Sequence, residues 1–323
     1  MFKLKSLSLL FFAFSTSAIY AQFTDDINSN RPGESMSGFS VGKTVFQMEA
    51  GMYGITEDHS LLETDSKGFG FDLALRYGAF LEQLEFIANI QYQADQYNTP
   101  LGSENRSAVK KMTLGAKYLI YDPFKNYEEK VNIYSWKANH RFKWRQFIPA
   151  VGVYAGANVN FSNNPYTFET DPKISPKLMV ITQNHFGSRY VFVINIIADK
   201  VTSDYPSYGG IATMTYGINP KWSAFLEGQV YQSDYYSDGI ARGGAAYLLM
   251  PNLQLDASIS KNIKDTPSIF YGGIGVSWRF DGSYKDILIN IPGKDDSKDK
   301  KKDKKKKDDK KRIDEVGGEQ PTE

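Results

Sequence analysis

Between residues 44 and 280 the apolar side chains return on every second position, in runs of about ten residues separated by polar breaks, the period of a β-strand with two unlike faces. The pattern is cleanest from Pro251 to Phe280, where Leu253, Leu255, Ala257 and Ile259 form one run and Phe270, Ile274, Val276, Trp278 and Phe280 the next. Residues 44–56 set Phe46, Met48, Ala50 and Met52 against Gln47, Glu49 and Tyr53. A second run sets Phe69, Phe71, Leu73, Leu75 and Tyr77 against Asp72 and Arg76, and a third sets Leu84, Phe86, Ala88, Ile90 and Tyr92 against Glu85, Asn89, Gln91 and Gln93. In the fourth, Met112, Leu114, Ala116, Tyr118 and Ile120 oppose Lys111, Thr113 and Lys117; in the fifth, Val151, Val153, Ala155, Ala157 and Val159 oppose Gly152, Tyr154, Gly156 and Asn158. Seven more segments, at 176–187, 189–201, 209–218, 221–232, 239–249, 253–263 and 268–280, bring the total to about twelve, within the range of outer-membrane barrels.

The breaks come in two kinds. Gly187-Ser188, Asn219-Pro220 and Pro251-Asn252 read as tight turns, whereas 59–66, 94–107 and the stretches TSDYPSYGG, QSDYYSDG and KDTP read as looser polar loops. Residues 122–146 interrupt the rhythm with a basic, aromatic segment. An enlarged turn carrying interfacial aromatics is favoured there over a short strand pair or an amphipathic piece lying on the membrane. Together these features predict an all-β, transmembrane antiparallel β-barrel of about 12 strands. An even count puts both ends of the barrel on one side, expected to be the periplasm, with the looser loops outside.

Composition sharpens this picture. Tyr and Phe number 21 each, mean hydropathy is negative, and after the N-terminus no apolar run is long enough for a membrane helix. Residues 1–21, with Lys3, Lys5, the apolar run Leu7 to Phe14 and a small-residue end at Ala21, read as a secretory signal peptide. With no cysteine there is no lipid-anchored N-terminus, disulfide or thiolate metal site. Residues 22–43 read as an irregular periplasmic leader, 44–280 as the barrel, and 281–323 as a disordered Lys/Asp-rich periplasmic tail. The net charge of +1 averages that tail against a mildly acidic body and says little about partners.

Three stretches carry a family resemblance: Asn30-Arg31-Pro32-Gly33 followed by VFQMEAGMYGI, then YGINPKWSAFLEGQVY, and AAYLLMPNLQLDASI with YGGIGVSWRF. In order and spacing they resemble the outer-membrane transporter family named for the MetA pathway of phenol degradation, over most of residues 28–280. The family usually has Thr-Asp-Arg-Pro where this chain has Ser-Asn-Arg-Pro, and many members stop shortly after the closing Arg-Phe. The resemblance implies a barrel in the outer membrane of a Gram-negative cell.

Candidate chemistry lies on the inward face. Glu49, Asp72, Arg76, Glu85, Lys117, Glu227 and Gln229 are expected to line the lumen, where charges need partners or water. They would either cross-link into a plug or line a wet, solute-selecting pore. His59, His140 and His185 fall in separate segments without ligand or triad spacing, so neither a catalytic nor a metal role is expected, and no cofactor. Trp278 and Phe280 are expected to form the signal read by the barrel-insertion machinery. The favoured function is a channel passing a small solute; the alternative is a non-transporting structural or assembly subunit whose tail contacts a periplasmic partner. Expected partners are therefore outer-membrane lipid, the insertion machinery and a protein bound by the tail, with nucleic acid implausible in that compartment.

Overall fold

Strands can cross a lipid phase only when no ladder edge is left unpaired, because lipid offers no hydrogen bonds to the backbone. The computed structural model, which describes residues 27–280 apart from 126–133, 135–143, 168–170, 188 and 235, satisfies this by closure. Its strands are β1 (Phe46–His59), β2 (Thr64–Gly78), β3 (Leu84–Thr99), β4 (Gly102–Tyr121), β5 (Ala150–Val159), β6 (Ile174–Phe186), β7 (Tyr190–Asp199), β8 (Ser207–Gly217), β9 (Trp222–Ser233), β10 (Asp238–Met250), β11 (Leu253–Asn262) and β12 (Ser268–Phe280). Each pairs antiparallel with its sequence neighbours, and β1 pairs with β12, opposing Phe46 to Phe280. The opening strand is therefore sealed by the closing one at a single rim.

Alternation sorts the side chains as the period demands. Met52, Phe69, Leu226, Val230, Ile259 and Ile274 are exposed on the outer wall, whereas Gln47, Glu49, Arg76, Glu85 and Lys117 are buried inside. An apolar exterior around a polar interior is the transmembrane arrangement of a barrel, the inverse of a soluble one. Part of the interior is apolar, however. Tyr154, Met179, Ile181, Val193, Ile197 and Ile211, from β5 to β8, form an apolar cluster within the lumen.

Two expectations need correction. The polar stretch 94–107, read as a loop, continues the ladder: β3 runs to Thr99 and β4 restarts at Gly102. Likewise β1 extends to His59 and β2 begins at Thr64. Beyond the lipid both faces of a strand meet water, so nothing there enforces alternation and the sequence signal disappears while the hydrogen bonds continue. Loop length is consequently a poor guide to sidedness here, since the long connection 122–149 leaves the same rim as Phe46 and Phe280.

The second correction concerns residues 22–43. From Ile27 onward this leader is irregular, as expected, yet it does not lie outside the barrel. It enters the lumen from the rim of Phe46, with Ile27 N–H donating to the Pro251 carbonyl at 2.8 Å, turns around Arg31–Glu34 and descends to Thr44, whose N–H donates to the Gly78 carbonyl at 2.7 Å. The signal peptide, the tail 281–323 on which the assembly-subunit alternative rests, and most of the segment 122–146 lie outside the described residues.

Candidate functional site in the barrel lumen

The tip of the leader is fixed by a row of four residues at one height on four adjacent strands. Asp72 of β2 is opposite Gly51 of β1, Gly51 is opposite Gly275 of β12, and Gly275 is opposite Asp256 of β11. The Arg31 guanidinium lies over the two glycines. A Cβ at Gly51 would come within 2.3 Å of it and one at Gly275 within 2.2 Å, so only glycine leaves the slot open. From there Arg31 forms ion pairs with Asp72 on one side and with Asp256 on the other, at 3.2 Å to Oδ1 and 3.3 Å to Oδ2. A planar cation with a fixed fork of donors suits two carboxylates set either side of a gap.

After Pro32 the chain passes round the lumen, first to β9 and β10 and then to β7 and β6. Glu227 of β9 accepts the backbone N–H of Glu34 at 3.0 Å and that of Ser35 at 3.2 Å, and also bonds Thr213 and Gln229, each at 2.7 Å. Arg242 of β10 pairs with the Glu34 carboxylate at 3.1 Å. Met36 enters the apolar cluster, with its N–H donating to Asn195 Oδ1 at 2.6 Å and its carbonyl accepting from Asn195 Nδ2 at 3.0 Å. The Gly38 N–H then donates to Gln183 Oε1 at 2.9 Å.

Below the tip, near the rim, Arg76 donates to Glu49 at 2.8 Å, to Glu85 through both Nε and Nη2, and to the Asn28 carbonyl at 2.7 Å. Lys117 completes the group, 3.0 Å from Glu85 and donating to the carbonyls of Ser37 and Phe39 at 2.9 and 2.8 Å. Every charge in this cluster is 0–1% exposed, so their mutual pairing is what makes burial tolerable.

All seven sequence-predicted lumen residues thus face inward, but they are not one constellation. Glu49, Arg76, Glu85 and Lys117 form a closed network near the rim; Asp72 clamps Arg31; Glu227 binds the leader after Pro32, with Gln229 donating to Glu227 behind it. Trp278 and Phe280 stack on the outer wall with ring centroids 4.5 Å apart, and Phe280 also meets Phe46 at 5.5 Å. His59 ends β1 at one rim. His185 lies near the other, bonded to Gln183 at 2.9 Å and flanked by Phe39 and Phe124, while His140 is outside the described residues.

Sequence reasoning missed two contributors. The leader has no periodicity, and only its Arg31, Glu34 and Met36, each matched to a wall group, mark it as an internal segment. The other is Lys110. Strict alternation from Thr113 sends Lys110 to the lipid, but the β3–β4 register shifts there, Gln91 opposing Lys111 and Tyr92 opposing Val109. The extra residue in this bulge lets two consecutive lysines face inward, and Lys110 reaches Gln93 Oε1 at 2.8 Å.

Above the leader tip the lumen is hollow. A cavity of about 510 Å³ is floored by Asn30–Glu34 and Met36 and walled by Tyr53, Lys110, Lys111, Lys177, Tyr231 and Tyr271 among others.

Comparison with known proteins places this arrangement among barrels. A family model described as "Putative MetA-pathway of phenol degradation" matches residues 29–280. An outer membrane channel from Pseudomonas putida F1 aligns over 77% of this chain and 100% of its own, with a TM-score of 0.52 at 12% identity. A porin, KdgM, solved with disordered oligogalacturonate, aligns over 72% and 99%, with a TM-score of 0.44 at 9% identity. The monoaromatic hydrocarbon channel CymD aligns over 74% and 89%, with a TM-score of 0.39 at 11% identity. No curated protein matches the chain by sequence.

Proposed function

The chain belongs to that family, and on this premise we propose that it is an outer-membrane channel for a small solute, its lumen narrowed from the periplasmic rim by its own leader. The observation that carries the reading is the cavity above the leader tip, which remains open and polar although the lower lumen is filled. A barrel serving only as an anchor has no need to keep charged groups facing an empty interior, where each costs desolvation unless water reaches it. The way the leader is held supports the same reading. Much of it is held by hydrogen bonds and ion pairs, which water can replace, while Met36 is set in the apolar cluster and Phe39 packs against Phe124. Both chain ends are assigned to the periplasm, since a secreted chain threading its leader back through its own barrel begins and ends on that side.

Passage is by diffusion past Arg31, Glu34 and Arg242, so the charges at the leader tip sort solutes. The purified, folded barrel is expected to give small, discrete conductance steps in planar bilayers. Their absence from protein that shows native mobility on unheated gels would sink the channel reading.

A further inference from the structure

The basic groups of the lumen differ in how closely they are paired. Arg31, Arg76, Arg106, Lys117 and Arg242 each form an ion pair with at least one carboxylate. Lys110, Lys111 and Lys177 line the cavity above the leader, and none of the three forms an ion pair with a described carboxylate. Lys111 and Lys177 are close enough for their charges to act on one another, a repulsive arrangement offset in part by the carboxylates of Asp199 and Glu34. Asp199, opposite Lys177 on β7, acts on both lysines from beyond ion-pair distance, and is hydrogen-bonded by Asn158 Nδ2 at 2.5 Å and by the Lys200 N–H at 3.0 Å. The Glu34 carboxylate is taken by Arg242.

Three phenol rings line the same cavity. The hydroxyls of Tyr53 and Tyr231 are spent on Gln93 at 3.3 Å and Gln229 at 3.1 Å, which leaves their rings toward the cavity. Lys110 lies 5.9 Å from the centroid of the Tyr271 ring. The site therefore combines a cluster of ammonium groups without direct ion pairs to described carboxylates and a flat apolar surface. Its arginines, the side chains best shaped to grip a phosphate through two parallel bonds, are occupied elsewhere.

We propose that this vestibule binds a small organic carboxylate, the anionic end between Lys110, Lys111 and Lys177 and an apolar or aromatic body against Tyr53, Tyr231 and Tyr271. The proposal deepens the channel reading by naming a solute class, and it rests on that reading for the solute's route but not for its binding. The bulge at Lys110 is its structural device: it brings a second lysine inward on one strand, where regular pleating allows one in two.

The test is titration calorimetry on the full-length folded barrel in detergent, with benzoate, benzyl alcohol and inorganic phosphate as probes. Benzoate is expected to bind saturably, benzyl alcohol and phosphate at least ten-fold more weakly. The double substitution Lys111→Gln with Lys177→Gln is expected to weaken benzoate about ten-fold or more, the loss of one to two charge-assisted contacts. Lys110→Gln alone, in case the double variant folds poorly, is expected to do so to a smaller degree. No saturable benzoate binding, equal binding of benzyl alcohol or phosphate, or unchanged affinity in folded variants would each overturn the assignment. Binding without conductance would overturn the channel and leave this site standing; conductance without binding would do the reverse.

Discussion

Replacing Arg76 by Met tests the buried network most severely. Arg76, Lys117, Glu49 and Glu85 carry two positive and two negative charges, all 0–1% exposed, and sum to zero. Arg76→Met keeps much of the aliphatic stem but leaves two carboxylates facing one ammonium, a buried net charge of −1, and deprives the Asn28 carbonyl of a donor. Removing one partner from a buried pair costs about 3–5 kcal/mol, and about 3 kcal/mol is a hundred-fold or greater change in the unfolding equilibrium. Adding Glu49→Gln restores neutrality, so the double variant should recover a coupling energy of about 1–3 kcal/mol. Equilibrium urea unfolding in micelles, read by the mobility difference between folded and unfolded barrel, measures both. If Arg76→Met costs under about 1 kcal/mol and Glu49→Gln merely adds to it, these groups are solvated and the network reading is wrong.

Other outcomes follow from the geometry. Gly51→Ala and Gly275→Ala would each drive a methyl into the Arg31 guanidinium, at 2.3 and 2.2 Å, so the leader tip must leave its slot. Both should raise single-channel conductance, while Gly228→Ala, with nothing within 4 Å of its Cβ position, should not; equal behaviour of the three would refute the clamp. Phe280→Ala removes the aromatic that meets both Phe46 and Trp278 at the sealing rim, and the folded, membrane-inserted fraction should fall; normal insertion would show that the rim aromatic is not read as a signal.

The barrel was legible because lipid on one face and a polar lumen on the other force the strands to alternate, as Phe46 to Met52 on β1 and Ile274 to Phe280 on β12 do. It stopped being legible where that pressure ends. Residues 94–107 remain hydrogen-bonded in β3 and β4 beyond the lipid, where polar residues suit both faces. The inward position of Glu49, Asp72, Arg76, Glu85, Lys117, Glu227 and Gln229 could be read from parity, but their partners could not, because Arg31, Glu34 and the Asn28 carbonyl come from a segment with no period at all. Pairing across the lumen depends on the shear of the whole barrel, which no local window contains. Lys110 was hidden for a different reason: a single bulged residue inverts the parity of everything before it on β4.

The central claim is that the leader, and not the barrel wall, sets the width of the pore. Deleting residues 27–41 removes the tip with Arg31, Glu34 and Met36, and water can enter to solvate the charges left behind, so the barrel should still fold. Single-channel recording of this variant beside the parent is the most direct test. The account predicts conductance several-fold above the parent's at unchanged folded mobility; equal conductance in the two would contradict it.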